Sequence, residues 1–225
     1  ILRLYSTIKE DFCKAGYITC DPLVFNTKDF GFPQSRKRAF ILGIKKDYKK
    51  ISNELYHLFK TELQRHLEAV TLYTLWDAIS DLPQLEAKTM KNATYSESAT
   101  WGYTFAGFRD AASPYARLIN HGLPIEVPLL NHRSKYNNDR DIQIYQLLRP
   151  GEKSDAESIQ EINPYKNRAD IFRDKFDKLL AYEPCKAITA HMYYDCNMYI
   201  HPYQARGLTP REAARVQGFP DDYLF

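Results

Sequence analysis

The sequence lacks most features that would assign it to a specialised class of protein. It has four cysteines, which show neither Cys-x-x-Cys spacing nor a disulfide-rich pattern: Cys13, Cys20, Cys185 and Cys196. We therefore expect a reducing environment and no metal site. No apolar run reaches the length of a membrane span, so we expect no membrane association. The first residues show neither signal-peptide architecture nor an initiator Met, and we expect the chain to begin inside a longer one.

A strong charge of either sign is also absent. The 225 residues include 31 Lys and Arg against 28 Asp and Glu, which gives a net charge of +3. Such a balance permits nucleic-acid binding without arguing for it, because most chains this close to neutral are simply soluble proteins. If the chain binds DNA, its basic residues must be clustered. The length and the 44% hydrophobic content fit one or two domains with a buried core.

The clearest local pattern is a short helix near the end of the chain. Thr209 is a suitable N-cap, Pro210 fits the first helical position, and Glu212 completes a capping box. Gly218 and Pro220 then end the helix. This segment is the best-defined element that the sequence predicts.

Periodicity outlines the other elements. Apolar residues at helical spacing predict helices over residues 1–16, 51–69, 74–83, 113–119, 140–148 and 172–180. Residues 17–28 and 38–45 read as two strands of a hairpin-like unit, connected by a long functional loop. Residues 84–113 are expected to form loops and short strands, and residues 152–164 an exposed polar stretch. Residues 187–201 are expected to form two short strands that turn at 195–197.

Two segments are more specific than periodicity alone. The first is Phe30-Gly-Phe-Pro-Gln-Ser-Arg-Lys-Arg-Ala-Phe-Ile-Leu-Gly43, and the second is Arg206-Gly-Leu-Thr-Pro-Arg-Glu-Ala-Ala-Arg-Val-Gln-Gly-Phe-Pro-Asp221. Together they resemble the C-terminal half of the cytosine-C5 DNA methyltransferases. In that family a Gln-x-Arg-x-Arg motif comes first, a variable target-recognition region follows, and an Arg-x-Leu-Thr-x-Arg-Glu motif comes last.

The resemblance implies the fold class and the domain organisation. The expected fold is α/β, the end of a Rossmann-like S-adenosylmethionine-dependent methyltransferase domain plus a mixed α+β target-recognition domain. Residues 1–48 would complete the catalytic domain, and residues 49–205 would form the target-recognition domain. Residues 206–225 would begin the closing helix that returns to the catalytic domain.

The first motif supplies the candidate catalytic residues. A basic loop before a strand is usually a solvated surface. Here Arg36 and Arg38 alternate toward one face, and the apolar strand after them should hold a guanidinium in place, which suits phosphate or a base carbonyl. The resemblance implies that Arg38 reaches the flipped target cytosine and nearby backbone. It implies that Arg36 helps to hold the catalytic carboxylate and the DNA, and that Gln34 orders the loop.

Other positions match the family through the resemblance alone. It implies that Thr189 contacts a phosphate beside the target cytosine. It also implies a DNA-binding place for Arg206, which with Asn131-His132 would shape the recognition region and join it to the closing helix. Arg211 and Arg215 could form internal salt bridges or face the DNA backbone, and the sequence leaves both possibilities open.

The parts that carry the family's chemistry are missing from this sequence. It contains no Phe-x-Gly-x-Gly, Pro-Cys-Gln, Glu-Asn-Val or Gly-Asn-x-Val-Pro segment. Pro184-Cys185 resembles the nucleophile dipeptide, but it lies in the recognition region without the following Gln, so we expect Cys185 to be structural. We therefore expect the chain alone to be inactive, with S-adenosylmethionine bound mainly by residues outside it. The expected partners are double-stranded DNA and a catalytic part, on the same polypeptide or on a separate subunit.

The sequence therefore predicts a fragment or subunit of a DNA (cytosine-5-)-methyltransferase. A bacterial restriction-modification or orphan enzyme is the expected source, located in the cytoplasm with the nucleoid, or in the nucleus if the source is eukaryotic. One alternative is a non-catalytic DNA-binding or regulatory relative, against which the intact Gln34, Arg36 and Arg38 argue. The other is a tRNA cytosine methyltransferase, against which the long span 51–205 argues, because those enzymes have compact recognition regions.

Overall fold

The chain folds into two compact units with a mixed α/β composition. The structure, a computed structural model, describes residues 2–91, 100–106, 113–124, 129–168, 171, 175–193 and 196–225. The first unit comprises Ile1–Gly31 and Arg36–Leu72, and the second comprises Phe32–Ser35 and Tyr73–Phe225. The chain therefore passes into the second unit for four residues, returns to the first unit, and leaves it again after residue 72.

The first unit is an interrupted hairpin accompanied by two helices. Helix α1 (Leu2–Lys14) leads into strands β1 (Tyr17–Thr19) and β2 (Leu23–Asn26). Strands β4 (Lys37–Phe40) and β5 (Gly43–Lys45) return, so that β2 pairs antiparallel with β4 and β1 with β5. Helix α2 (Ser52–Glu68) follows, and none of its residues is fully buried.

The predicted hairpin is confirmed, although each of its two arms is divided. Tyr17 lies opposite Lys45 at one end of the ladder, and Asn26 lies opposite Lys37 at the other. Between the two pairs of strands, the Cys20 N–H still donates to the Leu42 carbonyl at 3.1 Å. Pro22 follows, and because it has no N–H, it cannot continue the ladder.

In its described residues, the second unit contains the remaining strands and four short helices. The short strand β3 (Gln34–Ser35) pairs in parallel with β8 (Cys185–Lys186), and β6 (Gly102–Ala106) pairs antiparallel with β7 (Leu129–Arg133). The helices are α3 (Leu75–Ile79), α4 (Pro114–Ile119), α5 (Asp139–Leu147) and α6 (Pro210–Val216). Among the described helices of both units, none combines the length and apolar character needed to cross a membrane.

Two apolar clusters form the interior of the second unit. The first apolar cluster joins α3, α4, β7, β8 and α6 through Leu75, Ala78, Ile79, Leu82, Tyr115, Leu129, Leu179, Cys185, Ile188, Tyr199, Leu208, Ala213 and Val216. The second apolar cluster surrounds α5 and consists of Ile144, Tyr145, Leu148, Ile159, Phe176 and Ile200. Helix α6 thus takes its place within the second unit through the apolar residues on its inner face.

The predicted ends of α6 are confirmed, and α4 begins with a similar cap. Thr209 accepts from the Glu212 N–H, and the Glu212 carboxylate accepts from the Thr209 N–H, which completes the capping box of α6. Ser113 caps α4 by accepting from a backbone N–H, with Pro114 at the first position. After α6, Gly218 has φ of +83°, and the ring of Phe32 occupies the space that a Cβ would need. A glycine is therefore required there on both conformational and steric grounds.

Three of the predicted elements are wrong. Residues 152–164 are not an exposed stretch, because Ser154, Ile159 and Asn163 are buried, and Ser154 binds both the Asn163 amide and the Phe176 N–H. Residues 175–180 form no helix; Asp177 and Lys178 instead make isolated bridges to neighbouring segments. Residues 172–174 lie outside the described residues.

The third wrong element is the pair of strands expected over residues 187–201. The chain there forms two 3-10 turns, Ala190–Tyr193 and Cys196–Met198. Asp195 of the expected turn lies outside the described residues. The alternation of apolar and polar residues suggested strands. In the structure, irregular backbone buries Ile188, Tyr199 and Ile200 without forming a strand.

The division into units also differs from the expected domain limits. The expected limit lies at residue 48, whereas contacts place it at residue 72, because α2 lies against the 3-10 turns Thr27–Phe30 and Lys46–Ile51 of the first unit. The segment 206–225, expected to return to the catalytic domain, contacts α3 and β7 within the second unit.

Candidate nucleic-acid interface

The arginines around α6 are all buried. Arg206, Arg211 and Arg215 are each 0% exposed. Both terminal nitrogens of Arg206 donate to the Glu212 carboxylate, at 2.8 and 2.7 Å. Its Nη1 also donates to the Gly207 carbonyl, and its Nε donates to Oε1 of Gln204 at 2.9 Å and lies 3.3 Å from the Leu85 carbonyl. The expected DNA contact of Arg206 is therefore wrong, because this guanidinium presents no surface to a ligand.

Arg211 and Arg215 resolve the alternatives that the sequence leaves open. Arg215 donates twice to Asp221, at 2.8 and 2.7 Å, and also reaches Asp81. Arg211 donates to the carbonyls of Leu130, Pro220 and Tyr223 at 2.7 to 2.8 Å. Both side chains are bound internally, so in this structure they hold α6, β7 and the end of the chain together rather than facing DNA.

The charges of this interior are fixed by their partners. Burial would raise the pKa of the Glu212 carboxyl, but the Arg206 guanidinium lowers it well below the usual range. Burial likewise opposes the charge on Arg215, yet its hydrogen bonds to Asp221 raise the pKa of that guanidinium above its ordinary value. A closed set of ion pairs of this kind stabilises the position of α6 and leaves no free charge for a ligand.

Two buried histidines adjoin the same ion pairs. His132 on β7 has Nδ1 3.1 Å from the Thr209 hydroxyl and Nε2 2.8 Å from the Pro83 carbonyl, so it joins β7 to the N-cap of α6. Nδ1 of His201 accepts from the N–H groups of Tyr203 and Gln204. Burial lowers the pKa of His201 to about 4. Both histidines are therefore packing and hydrogen-bonding residues in this structure.

Gln34 lies on the second unit. Its strand, β3, pairs with β8, and the segment that carries Thr189 follows β8 in the chain. Strand β3 places Gln34 opposite Cys185, and the Cys185 N–H donates to the Pro33 carbonyl at 2.8 Å. Gln34 is buried. Thr189 follows β8 on irregular backbone, and its side chain is exposed.

Arg36 and Arg38 lie on the first unit. The backbone of Arg36 bonds to Thr27 in both directions: the Arg36 N–H donates to the Thr27 hydroxyl at 3.1 Å, and the Arg36 carbonyl accepts from the Thr27 N–H at 3.0 Å. Arg38 lies opposite Phe25 in the β2–β4 ladder. These hydrogen bonds fix the backbone of both residues, whereas Gln34 and Ser35 of the same motif belong to the other unit.

The side chain of Arg38 is less constrained than expected. It is exposed, and its Nη1 donates to the Lys37 carbonyl at 2.7 Å. The expectation that the apolar strand would hold the guanidinium is wrong, because all four β4 residues are exposed and Phe40 is 49% exposed. An exposed guanidinium on a fixed strand is available to a ligand.

Basic residues are concentrated in the first unit. It carries 13 Lys and Arg against 8 Asp and Glu, whereas the second unit carries 18 against 20. Residues 36–50 alone contain seven Lys or Arg and one Asp. A chain with so small a net charge can bind DNA only if its basic residues are clustered, because phosphate contacts depend on local positive charge. The first unit meets this requirement.

Cys185 has the properties of a structural residue. It is 2% exposed and belongs to the first apolar cluster. Burial raises the pKa of its thiol to about 12, so the thiolate that a nucleophile needs is scarce at neutral pH. Within the described part of the chain, no group of His, Cys, Asp and Glu is arranged to hold a metal ion.

Comparison with known proteins assigns the family. Residues 3–225 match the model of a family described as C-5 cytosine-specific DNA methylase. The chain belongs to this family. It is 30% identical to the type II methyltransferase M.Bpa9945I of Bacillus paralicheniformis over 99% of this chain and 50% of that protein. It is 29% identical to the type II methyltransferase M.DdeI of Desulfomicrobium norvegicum, over 97% of this chain and 48% of that protein.

A solved structure shares the fold of this C-5 cytosine methylase family member. The match has a TM-score of 0.62 at 24% identity and covers 98% of this chain and 56% of the other. That protein is described as a DNA modification methyltransferase encoded within a prophage, from E. coli. The chain spans about half the length of the curated relatives that it matches.

Proposed function

We propose that this sequence is the DNA-recognition and target-positioning part of a DNA (cytosine-5-)-methyltransferase. The complete enzyme would transfer the methyl group of S-adenosylmethionine to C5 of a flipped cytosine in a specific duplex site. The observation that carries the proposal is the family match over residues 3–225, which includes both motif segments. The names of the relatives, which are type II methyltransferases, favour a restriction-modification system.

The exposed and clustered positive charge supports the assignment of the DNA-contacting residues. In the proposal, Arg38 reaches the target base and the backbone beside it, because a planar guanidinium can pair with a phosphate or a base carbonyl. Arg36 supports the catalytic carboxylate and the DNA, Gln34 orders the loop from its buried place on β3, and Thr189 binds a phosphate. Irregular segments of the second unit would read base edges in the major groove.

The reactive groups must come from residues outside this sequence. The reaction needs a thiolate that adds to C6 of cytosine and a target base that has left the stack. Cys185 is buried within an apolar cluster and does not fit this role. The described residues also lack a glycine-rich turn after a strand, the feature expected to hold S-adenosylmethionine. The proposal therefore assigns the cysteine and the cofactor site to a catalytic part, on the same polypeptide or on another subunit.

The test is methyl transfer by the complete protein that contains this sequence. It would be incubated with duplex DNA and S-adenosylmethionine carrying a labelled methyl group, and 5-methylcytosine would be quantified, with tRNA as a competing substrate. The proposal predicts methylated duplex DNA and unmethylated tRNA. Label in tRNA alone would favour the tRNA methyltransferase. Duplex binding without methylation would favour the non-catalytic relative.

The chain by itself provides a second arm of the same experiment. The proposal predicts no incorporation of label by the isolated 225-residue chain. Cofactor-dependent methylation by that chain would overturn the assignment of the cysteine and the cofactor site to other residues.

A further inference from the structure

The segment that carries Thr189 has little regular structure to fix it. Residues 187–189 lie between β8 and the 3-10 turn Ala190–Tyr193 and belong to neither. The Thr189 side chain is exposed. A hydroxyl that must meet one phosphate oxygen from such a segment needs support from a neighbouring side chain, because an unsupported segment would pay ordering entropy on binding.

Tyr199 provides such support through its hydroxyl. Its side chain is 1% exposed within the first apolar cluster. Its Oη donates to the Ala187 carbonyl at 2.9 Å and lies 3.2 Å from Oγ1 of Thr189. A phenol has one proton, and a carbonyl cannot donate, so Thr189 is the donor in the second contact. Tyr199 thus binds both the backbone and the side chain of the segment.

A second set of contacts holds Lys186 beside the Tyr199 ring. Lys186 Nζ lies 4.9 Å from the Tyr199 ring centroid and donates to Asp177 at 2.7 Å. Asp177 is buried, and Lys153 Nζ lies 3.4 Å from the same carboxylate oxygen. Lys186 and Lys153 therefore share the Asp177 carboxylate, and Lys186 lies beside the ring whose hydroxyl contacts Thr189.

We propose that Tyr199 is the positioning residue for Thr189 in the DNA complex. It holds the Thr189 oxygen and the Ala187 backbone next to the position that a phosphate beside the target base would occupy. When DNA binds, the Thr189 proton turns from Tyr199 to a phosphate oxygen, which costs little because the 3.2 Å contact is long for a hydroxyl pair. The Tyr199–Ala187 hydrogen bond stays and keeps the segment in place. This inference rests on the proposed function and adds a residue that neither motif contains.

The test is Tyr199→Phe in the complete methyltransferase, with steady-state kinetics on duplex DNA. A phosphate contact is present in both the ground state and the transition state, so its loss should act on KM. We expect the KM for DNA to rise about fivefold, the factor that loss of one or two neutral hydrogen bonds gives, and kcat to change less than about twofold. Thr189→Val should give a similar rise, and the double variant should be no worse than Thr189→Val alone.

Tyr115→Phe is the matched control. Tyr115 is also 1% exposed in the first apolar cluster, and its hydroxyl donates to a backbone carbonyl, that of Arg215, at 3.0 Å. We expect this variant to lose similar stability while its KM stays unchanged. An unchanged KM in Tyr199→Phe, or effects of the two single variants that multiply in the double variant, would overturn the inference. Failure of the wild-type protein to methylate duplex DNA would instead overturn the proposed function, and this inference with it.

Discussion

The two arginine-rich segments place their guanidinium groups in opposite environments. Around α6, three arginines are completely buried, and each is bound by carboxylates or carbonyls. In the hairpin of the first unit, Arg38 is exposed and Arg36 is half-buried. The difference shows that the arginines of a motif can serve either the fold or a ligand, and that nearby acceptors decide between these roles.

The carboxylates around α6 come from the helix itself, from the segment after it and from one distant part of the chain. Glu212 lies on α6 itself, but Asp81 follows α3 and Asp221 follows the helix. A buried guanidinium without such partners would carry a large desolvation penalty. In the hairpin, by contrast, the β4 side chains are exposed, and Arg38 donates to the neighbouring Lys37 carbonyl. Stability measurements can therefore separate the two groups of arginines.

The largest expected effect on stability is that of Arg206→Ala. The substitution would leave the buried Glu212 carboxylate without its partner, so we expect the free energy of unfolding to fall by about 3–5 kcal/mol. Urea denaturation measures this directly. Arg65→Ala is the matched control, since Arg65 is exposed on α2 and pairs only with Glu62 at the surface. A loss below about 1 kcal/mol for Arg206→Ala would show that the buried pair contributes little.

The next effect is a dependence of stability on pH through His201. Its pKa is lowered to about 4 from an ordinary 6.5, chiefly by burial, with Arg206, His132 and Lys178 adding to the shift and Glu212 opposing it. The unfolded chain therefore takes up a proton below pH 6.5 while the folded protein does not, and stability falls as the pH falls. Between pH 7.5 and 4.5 we expect a loss of about 2–3 kcal/mol.

Denaturation at several pH values, with His201→Gln beside the wild type, tests this dependence. The variant should show a flatter pH profile over the same range. The depressed pKa of Glu212 acts in the same direction only at lower pH, because its contribution is lost as the pH falls from the unfolded value near 4.5 toward the folded pKa. Identical profiles for the two proteins above pH 4.5 would contradict the assignment to His201.

A smaller effect is expected from the N-cap of α6. Thr209→Ala removes the hydroxyl that accepts from Glu212 and lies against His132, and should cost about 1–2 kcal/mol. Thr209→Ser keeps the hydroxyl and should recover most of that loss. If the serine variant were as unstable as the alanine variant, the cap would not be the source of the effect.

The smallest effect on stability is expected for Arg38→Ala. The side chain is exposed, and its hydrogen bond reaches only the neighbouring Lys37 carbonyl. We expect the free energy of unfolding to stay within about 0.5 kcal/mol of the wild type. A loss comparable to that of Arg206→Ala would mean that both groups of arginines serve the fold.

Local features of the fold could be predicted from the sequence, and long-range ones could not. The caps of α4 and α6 depend on residues a few positions apart, and the hairpin joins two neighbouring segments of the chain, so their patterns are readable. The pairing of Gln34 with Cys185 joins segments far apart in the chain. Periodicity fails for the described residues of 175–180 and 187–201 for the same reason. Their burial is determined by distant neighbours rather than by a regular element.

The candidate site shows the same limit. The Gln-x-Arg-x-Arg segment identified an exposed arginine, but the burial of Arg206 depends on Glu212 acting as an ion partner as well as a capping residue. Their spacing of six residues spans the cap, where the helical pairing rule does not apply. No sequence pattern indicates Tyr199, because its proposed role depends on its contact with Thr189. Two 3-10 turns separate these residues in the chain.

Methyl transfer by the Arg38→Ala variant of the complete protein tests the central claim most directly. Incorporation of labelled methyl into duplex DNA would be measured beside the wild type and Arg65→Ala, after denaturation has shown that all three are equally folded. The account predicts that Arg38→Ala abolishes methyl transfer while Arg65→Ala retains it. Near-normal turnover by Arg38→Ala would contradict the claim that the exposed arginine of the hairpin acts on the target DNA.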